Sequence, residues 1–245
     1  MNSERLLTGL GAALALAVGL IVAASIGGWS FVKGKRSDQS IVVTGSAKRR
    51  IASDLVIWKA AISYQAPALA DAYRSLSQSV PKVKSYLLSK GITENQITVS
   101  SISSQALHPK NSEGGESDQI SGYSLRQELE VRSNDVQRIA QVAREATELI
   151  NQGILIESEA PEYHYTKLGE LKVEILGEAA KDARARALQI AQSTGSSIGS
   201  VRSARMGVLQ ITPPDSNAVS DAGINDTTTL EKDVTAVVSI SFAVD

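Results

Sequence analysis

Asp54–Gln65 reads DLVIWKAAISYQ and sets Val56, Trp58, Ala60 and Ile62 two residues apart. Alternation at period two brings these side chains to one face of a β-strand and predicts that this face is buried. Pro67 ends the extended segment. From Ala68 to Lys90 the apolar residues Leu69, Tyr73, Leu76, Val80, Val83 and Leu87 then recur at helical spacing until Gly91 stops them, which predicts an amphipathic helix, with a kink or irregularity at Pro81. Upstream, Ile41–Val43 opens a β-rich run, and Thr44-Gly45-Ser46 reads as a bend before the second strand.

The same strand-then-helix logic continues outward. Ile97–Leu107 alternates again, and after the polar loop HPKNSEGGESDQ so does Ile120–Val131, a pair expected to form a hairpin. Ser133-Asn134-Asp135 is a helix-capping cluster; Val136, Ile139, Ala140, Ala143 and Ile150 follow on one face, ending at Asn151-Gln152-Gly153. Ile154–Glu159 restarts a strand that runs on through Tyr165. Lys167–Thr194 is the longest predicted helix, with Leu171, Ile175, Ala179, Ala183, Ala187 and Ala191 at four-residue steps beside Leu168, Leu176, Leu188 and Ile190, and a charged opposite side. Gly195 closes it, Ile198–Ile211 reads as a strand, and Val234–Val244 (VTAVVSISFAV) is the strongest β-segment of the chain. The segment 212–233 between them, rich in Pro, Gly, Asn, Asp and Thr, predicts a long mobile hairpin loop. The order ββα, ββα, βα, ββ lacks the regular βα alternation of a doubly wound fold. It predicts an α+β fold of antiparallel sheet with helices packed on one face.

Leu6–Val32 (LLTGLGAALALAVGLIVAASIGGWSFV) carries no charged side chain. A spanning helix needs about 20 predominantly apolar residues, whereas the apolar core of a cleavable leader has about 7 to 15. Length therefore predicts one N-terminal transmembrane helix in residues 1–32, with a signal sequence cleaved after the small residues Val22-Ala23-Ala24 as the alternative. Gly9, Ala13 and Ala17 fall four apart, the spacing at which helices approach closely in a bilayer, and Trp29 sits near the distal end, where interfacial aromatics are common. Residues 33–40 (KGKRSDQS) form a polar linker, and 41–245 the domain. Arg5 faces Lys33, Lys35 and Arg36 across the span, a balance that by the positive-inside rule places the domain in the cytoplasm.

At 42% apolar residues the 245-residue chain can build an aliphatic core, with only two Phe and two Trp. Few aromatic platforms and a formal charge of -1 argue against a nucleic-acid partner. The absence of cysteine removes disulfides, thiolate metal sites and cysteine nucleophiles. His108 and His164 are the only histidines. Glu162 beside His164, and Glu113 or Glu116 near His108, fall short of the three or four convergent ligands a metal centre needs, so both histidines read as surface or loop residues. No G-x-S-x-G elbow occurs. Thr194–Gly199 (TGSSIG) follows a helix rather than preceding one and reads as a C-cap, not a phosphate loop. Glu170, Glu174, Glu178 and Asp182 share one helix face; interspersed with Lys172, Lys181, Arg184 and Arg186, they read as a solvated, salt-bridged face, with a cation-lining row as the alternative. Lys48-Arg49-Arg50 reads as a charged turn, or as a patch for anionic headgroups. The expectation is no catalytic residue, no cofactor and no metal: not an enzyme.

Ile41-Val42-Val43-Thr44-Gly45-Ser46-Ala47 followed by Asp54-Leu55-Val56 resembles the opening of SIMPL (DUF541) domains. In the same family order come Gly122-Tyr123 leading into Leu125 and Leu129-Glu130-Val131, then Asp135 and Asn151-Gln152-Gly153. The helix Ala179-Ala180-Lys181-Asp182-Ala183-Arg184-Ala185-Arg186-Ala187, Gly195 and Ile198-Gly199-Ser200-Val201 complete the series. The resemblance covers residues 41–245. It implies an extracytoplasmic bacterial protein, similar to periplasmic and outer-membrane immunogenic proteins, that forms ring-like or channel-like oligomers and has a link to stress tolerance. It supplies no catalytic residues. On orientation the resemblance outweighs the flanking charges and implies a single-pass inner-membrane protein with a periplasmic domain, or a cleaved protein secreted to the periplasm. The expected activity is that of a non-enzymatic, membrane-tethered homo-oligomeric scaffold of the cell envelope. A small-molecule or ion-binding, channel-like module is the alternative, its ligand open.

Overall fold

In the computed structural model Val56, Trp58, Ala60 and Ile62 are buried, as their spacing predicts. The structure describes residues 19, 23–24, 39–110 and 115–244. The elements run β1 (Ser40–Ala52), β2 (Leu55–Ala66), α1 (Leu69–Ser89), β3 (Ile97–Val99), β4 (Ser103–Leu107), β5 (Gly122–Ser133), α2 (Val136–Glu145), β6 (Ile156–Ser158), β7 (Glu162–His164), α3 (Leu168–Ser193), β8 (Ile198–Met206), β9 (Gln210–Thr212), β10 (Ile224–Asn225) and β11 (Glu231–Val244). The fold is α+β with sheets that are almost wholly antiparallel; the short β10–β9 pair is parallel. Apart from residues 19 and 23–24, the predicted anchor lies outside the described residues. Among those described, no helix is long and apolar enough to cross a membrane.

The chain divides into two compact units. One comprises residues 48–175 and 208–235. Its centre is β2, which pairs antiparallel with β5 from Val56↔Ser133 to Ala66↔Tyr123 and on its other edge with β6 and β7. The face bearing Trp58 and Ile62 meets Leu76, Val83 and Leu87 of α1 and Ile139 and Val142 of α2 in one core cluster. Each such buried aliphatic side chain contributes about 1.5–3 kcal/mol. Trp58 Nε1 donates to Ser158 Oγ at 3.1 Å, and Ser158 Oγ donates to the Ala143 carbonyl at 2.8 Å, so the core's one indole donor is satisfied. The opposite sheet face pairs Lys59 with Glu130 and Ile57 with Arg132, the mixed character of a face open to solvent.

The other unit holds the described residues of 1–47, 176–207 and 236–245. Here β11 pairs with β8 from Val238↔Met206 to Val244↔Ile198, and the alanine stripe of α3 (Ala179, Ala183, Ala187, Ala191) is fully buried.

Several boundaries differ from the sequence reading. Thr44-Gly45-Ser46 is not a bend: β1 runs unbroken from Ser40 to Ala52. The glycine serves close approach, because a Cβ at 45 would lie 2.3 Å from the Ala179 carbonyl oxygen and 2.3 Å from Ala183 N. Lys48-Arg49-Arg50 accordingly sits in a strand, not a turn. The single strand expected over Ile97–Leu107 is two, β3 and β4, both pairing β5: Ser100 N still donates to the Glu128 carbonyl at 2.9 Å, but Glu128 N donates to the Ser100 hydroxyl instead of its carbonyl, which accepts from Gln127 Nε2. The strand expected from Ile154 through Tyr165 is β6 and β7, parted at Pro161, which has no N–H for a ladder. Ile198–Ile211 breaks at Gly207. Helix α1 continues through Pro81. After α2 the chain tightens into 3-10 geometry over Ala146–Gln152, and Gly153 at φ 76 closes it. The 212–233 segment, expected to be a mobile loop, contains β10 and is held by Gln210 Nε2 donating to the Ser220 carbonyl at 2.7 Å. Its last strand begins at Glu231 rather than Val234.

Candidate functional site

A sheet edge is a row of unpaired backbone donors and acceptors, and proteins guard such rows with charge, proline or short length. In the first unit, β6 and β7 carry Glu157 and Glu162. Among the described residues β4 pairs with β5 alone, and from Ile97 to Leu107 the sequence ITVSSISSQAL has no charge and no proline. In the second unit β8 places Arg202 and Arg205 along an exposed strand. The β4 edge is thus left without the charges that β6, β7 and β8 carry.

Beside β4 lies an open apolar groove of about 510 Å³ lined by Leu69, Ala70 and Tyr73 at the start of α1, Ile102 and Ser104 at the edge, and Leu125 on β5. Leu69 is 45% and Tyr73 54% exposed, large values for residues at helical core spacing. Pro67 ends β2 and α1 begins at Leu69, so the first turn of α1 starts beyond the sheet and its apolar side chains overhang the edge instead of covering it. An unguarded edge next to an apolar groove can add an extended strand, with main-chain hydrogen bonds for affinity and side-chain burial for selectivity.

Polar chemistry in the first unit gathers at two buried carboxylates. Asp233, 1% exposed, accepts Arg50 Nε at 2.9 Å, Lys48 Nζ at 2.7 Å and Asp215 N at 2.9 Å. The side-chain bonds from Arg50 and Lys48 hold its carboxyl well below the usual range against the opposing effect of burial. Asp226 pairs with Lys232, 3.1 Å away, their side chains 6% and 2% exposed. Burial pushes the Asp226 carboxyl up, but bonds from Thr229, Thr228 and Lys232 outweigh it and hold the group well below its ordinary value. Lys232 and Asp233 are consecutive on β11 and so point to opposite sides of the strand; each is buried against its own partner.

The residues singled out from the sequence do not converge. His108 Nδ1 lies 2.9 Å from the Ser117 carbonyl, and His164 Nε2 lies 3.3 Å from Glu162 Oε2. Glu116 bridges the backbone of Lys110, and Glu113 lies outside the described residues. Among the described residues no group of three or more His, Asp or Glu side chains could hold a metal. Thr194–Gly199 forms a helix end, with Gly195 at φ 71 and Ser196 N donating to the Ala191 carbonyl at 2.8 Å. In the acidic row, Glu174 accepts Arg49 Nη1 at 2.5 Å, and Asp182 accepts the Ser46 amide and Arg186 Nε, both at 2.9 Å. The Ser46 amide bond, ahead of Arg186, lowers the Asp182 pKa. Glu174 and Asp182 of this row are therefore tied to residues of β1. The Lys48-Arg49-Arg50 patch is likewise spent on Asp233, Glu174 and Asp215.

Sequence reasoning missed the unguarded edge and both buried carboxylates. The signals were present: eleven residues of strand-like sequence without a charge, and the run Asp226-Thr227-Thr228-Thr229, whose spacing suits an Asx-type turn.

Comparison with curated proteins gives no match. The model of the SIMPL family, described as a protein of unknown function (DUF541), matches residues 41–242, from the first residues of β1 almost to the end of β11. The match spans both compact units and takes in every strand and helix described above but for the outermost residues of β1 and β11, so the chain belongs to the SIMPL (DUF541) family.

Proposed function

We propose that this chain is a non-enzymatic cell-envelope scaffold, tethered by its N-terminal apolar segment with the SIMPL domain on the periplasmic side, that assembles with copies of itself through the β4 edge. The observation that carries the reading is the unguarded edge: among the described residues β4 pairs only with β5, and it has no charge, while Leu69, Tyr73 and Ile102 offer exposed apolar surface alongside. A second copy is the occupant, because identical edges can pair antiparallel and bury the same groove twice under twofold symmetry. The 27-residue uncharged run Leu6–Val32 supports the tether. The engagement of Glu174 and Asp182 by Arg49 and Ser46 favours a scaffold over a channel whose lumen is lined by that acidic row, since those carboxylates already have partners.

Light scattering coupled to size-exclusion chromatography on residues 38–245 tests this. A discrete species heavier than the monomer, dissociated by Ser104→Lys, is the expected result. A monomer at all concentrations sinks self-assembly through this domain and turns attention to the anchor.

A further inference from the structure

Lys232 is buried, yet it lies on the wall of a cavity of about 110 Å³ in the first unit, together with Tyr163, Tyr165 and Asn225. Its ammonium donates to Asp226 Oδ2 at 3.1 Å and to the Thr229 carbonyl at 2.6 Å. An ammonium carries three donors, so one has no protein acceptor among the described residues. Leaving a buried charged donor unmatched is costly, and the side of the group that borders the cavity is where an acceptor can reach it.

Asp226 is in the opposite state. Its Oδ1 accepts Thr228 N at 2.9 Å and Thr228 Oγ1 at 2.7 Å; its Oδ2 accepts Thr229 N, Thr229 Oγ1 and Lys232. Two carboxylate oxygens offer about four lone-pair sites, and Thr228 N, Thr228 Oγ1, Thr229 N and Lys232 fill them even if the one hydrogen of Thr229 Oγ1 goes to the Glu231 carbonyl, 2.8 Å away. The wall therefore has a donor to give and no carboxylate acceptor to spare. Asp226 also cancels the charge of Lys232, and a second anion beside the pair would meet its repulsion at low dielectric. Tyr163, His164, Tyr165 and Asn225 also line the cavity, and Ile51, Leu168 and Ile211 contribute apolar side chains to its wall.

We propose that this cavity binds a small uncharged carbonyl or amide compound, its oxygen accepting from Lys232 Nζ and its apolar end resting on Leu168 and Ile211. The volume exceeds one water's share of about 30 Å³, which suits a molecule of a few non-hydrogen atoms. The site is separate from the β4 edge, and its occupancy does not depend on self-assembly.

The test is an amide-resolved NMR titration of the full chain in detergent, with acetamide as the probe and acetate as its charged counterpart. Acetamide is expected to give saturable shifts confined to the neighbourhood of Tyr163, Ile211, Asn225 and Lys232, with acetate giving none. Lys232→Met should raise the acetamide midpoint at least tenfold. Should that variant lose the dispersion of the folded spectrum, Leu168→Trp, which blocks the cavity by bulk and leaves the Lys232–Asp226 pair in place, is expected to abolish the saturable shifts. Scattered or non-saturating shifts, binding that survives Leu168→Trp, or acetate binding as tightly as acetamide each overturn the proposal.

Discussion

Gly45 of β1 and Ala179 of α3 meet backbone to backbone: a Cβ added at 45 would stand 2.3 Å from the Ala179 carbonyl oxygen, far inside any real contact. Glycine on the strand and the alanine stripe on the helix are one device, since each residue is small so that the other can come close. Gly45→Ala is expected to destabilise the domain by about 1–3 kcal/mol, the usual cost of overpacking a filled core. Gly177, in the interior of α3, has open space where a Cβ would stand, with nothing within 4 Å, and Gly177→Ala is expected to stabilise by roughly 0.5–1 kcal/mol. Urea midpoints measure both, and a neutral Gly45→Ala would remove the close-approach explanation.

Acid should act through Asp226 and Asp233. Both carboxyls are depressed in the folded chain, so their contribution is fully present above the unfolded carboxylate pKa of about 3.9. It is lost as pH falls from there through the lower folded values. Urea midpoints taken from neutral pH downward should show no decline from this source until about pH 4 and a steep one below it. Asp233→Asn is expected to lower the neutral midpoint and flatten the acid limb; an unchanged acid limb in that variant would show that Asp233 is not a source of the decline.

Lys232 and Asp226 should be strongly coupled. Removing one partner of a buried pair strands the other charge and costs about 3–5 kcal/mol, so Lys232→Met alone should be severe. Lys232→Met with Asp226→Asn should cost less than the sum of the two single changes. A double-mutant cycle on unfolding free energies reads the coupling directly, and strict additivity would mean that the 3.1 Å pair carries no mutual energy.

At the β4 edge, Ser104→Lys introduces a charge of the kind that β6, β7 and β8 already have. It is expected to weaken self-association at least about tenfold, near 1.4 kcal/mol, while Ser203→Lys on β8 leaves association unchanged. Sedimentation at several concentrations distinguishes them; equal loss from both would locate the contact elsewhere.

How much of this was legible beforehand depends on the range of the interaction. Val56, Trp58, Ala60 and Ile62 declared their shared face through period two, the Leu171-to-Ala191 stripe declared the buried side of α3, and Asp135 declared a cap that the structure realises, accepting from Arg138 N at 3.2 Å. The family was legible too, because it rests on the order of short local motifs. These are properties of neighbours along the chain. Backbone periodicity and local hydrogen bonding, acting within a turn or a strand, suffice to determine them.

What only the tertiary structure decided involves residues far apart in sequence. Thr44-Gly45-Ser46 looks like a bend because glycine bends chains, and nothing near it names Ala179 as the reason for the glycine. The row Glu170 to Asp182 reads as solvated and salt-bridged, and Glu174, 60% exposed and paired with Arg49, fits that reading; what no neighbour along the chain announces is that Arg49 and Ser46, on a strand more than a hundred residues earlier, are among the partners. Lys232 and Asp233 read as the polar end of a loop, since two adjacent charges on a strand must face opposite ways, and their burial depends on distant partners covering both sides. The β4 edge could be seen as unguarded only once it was known that β5 pairs it on one side and no described strand on the other. Sequence determined which segments would be strand or helix and which face each would bury; the long-range contacts that desolvate a charge or leave an edge open were decided by the fold, because electrostatic partnership and strand pairing act across space and not along the chain.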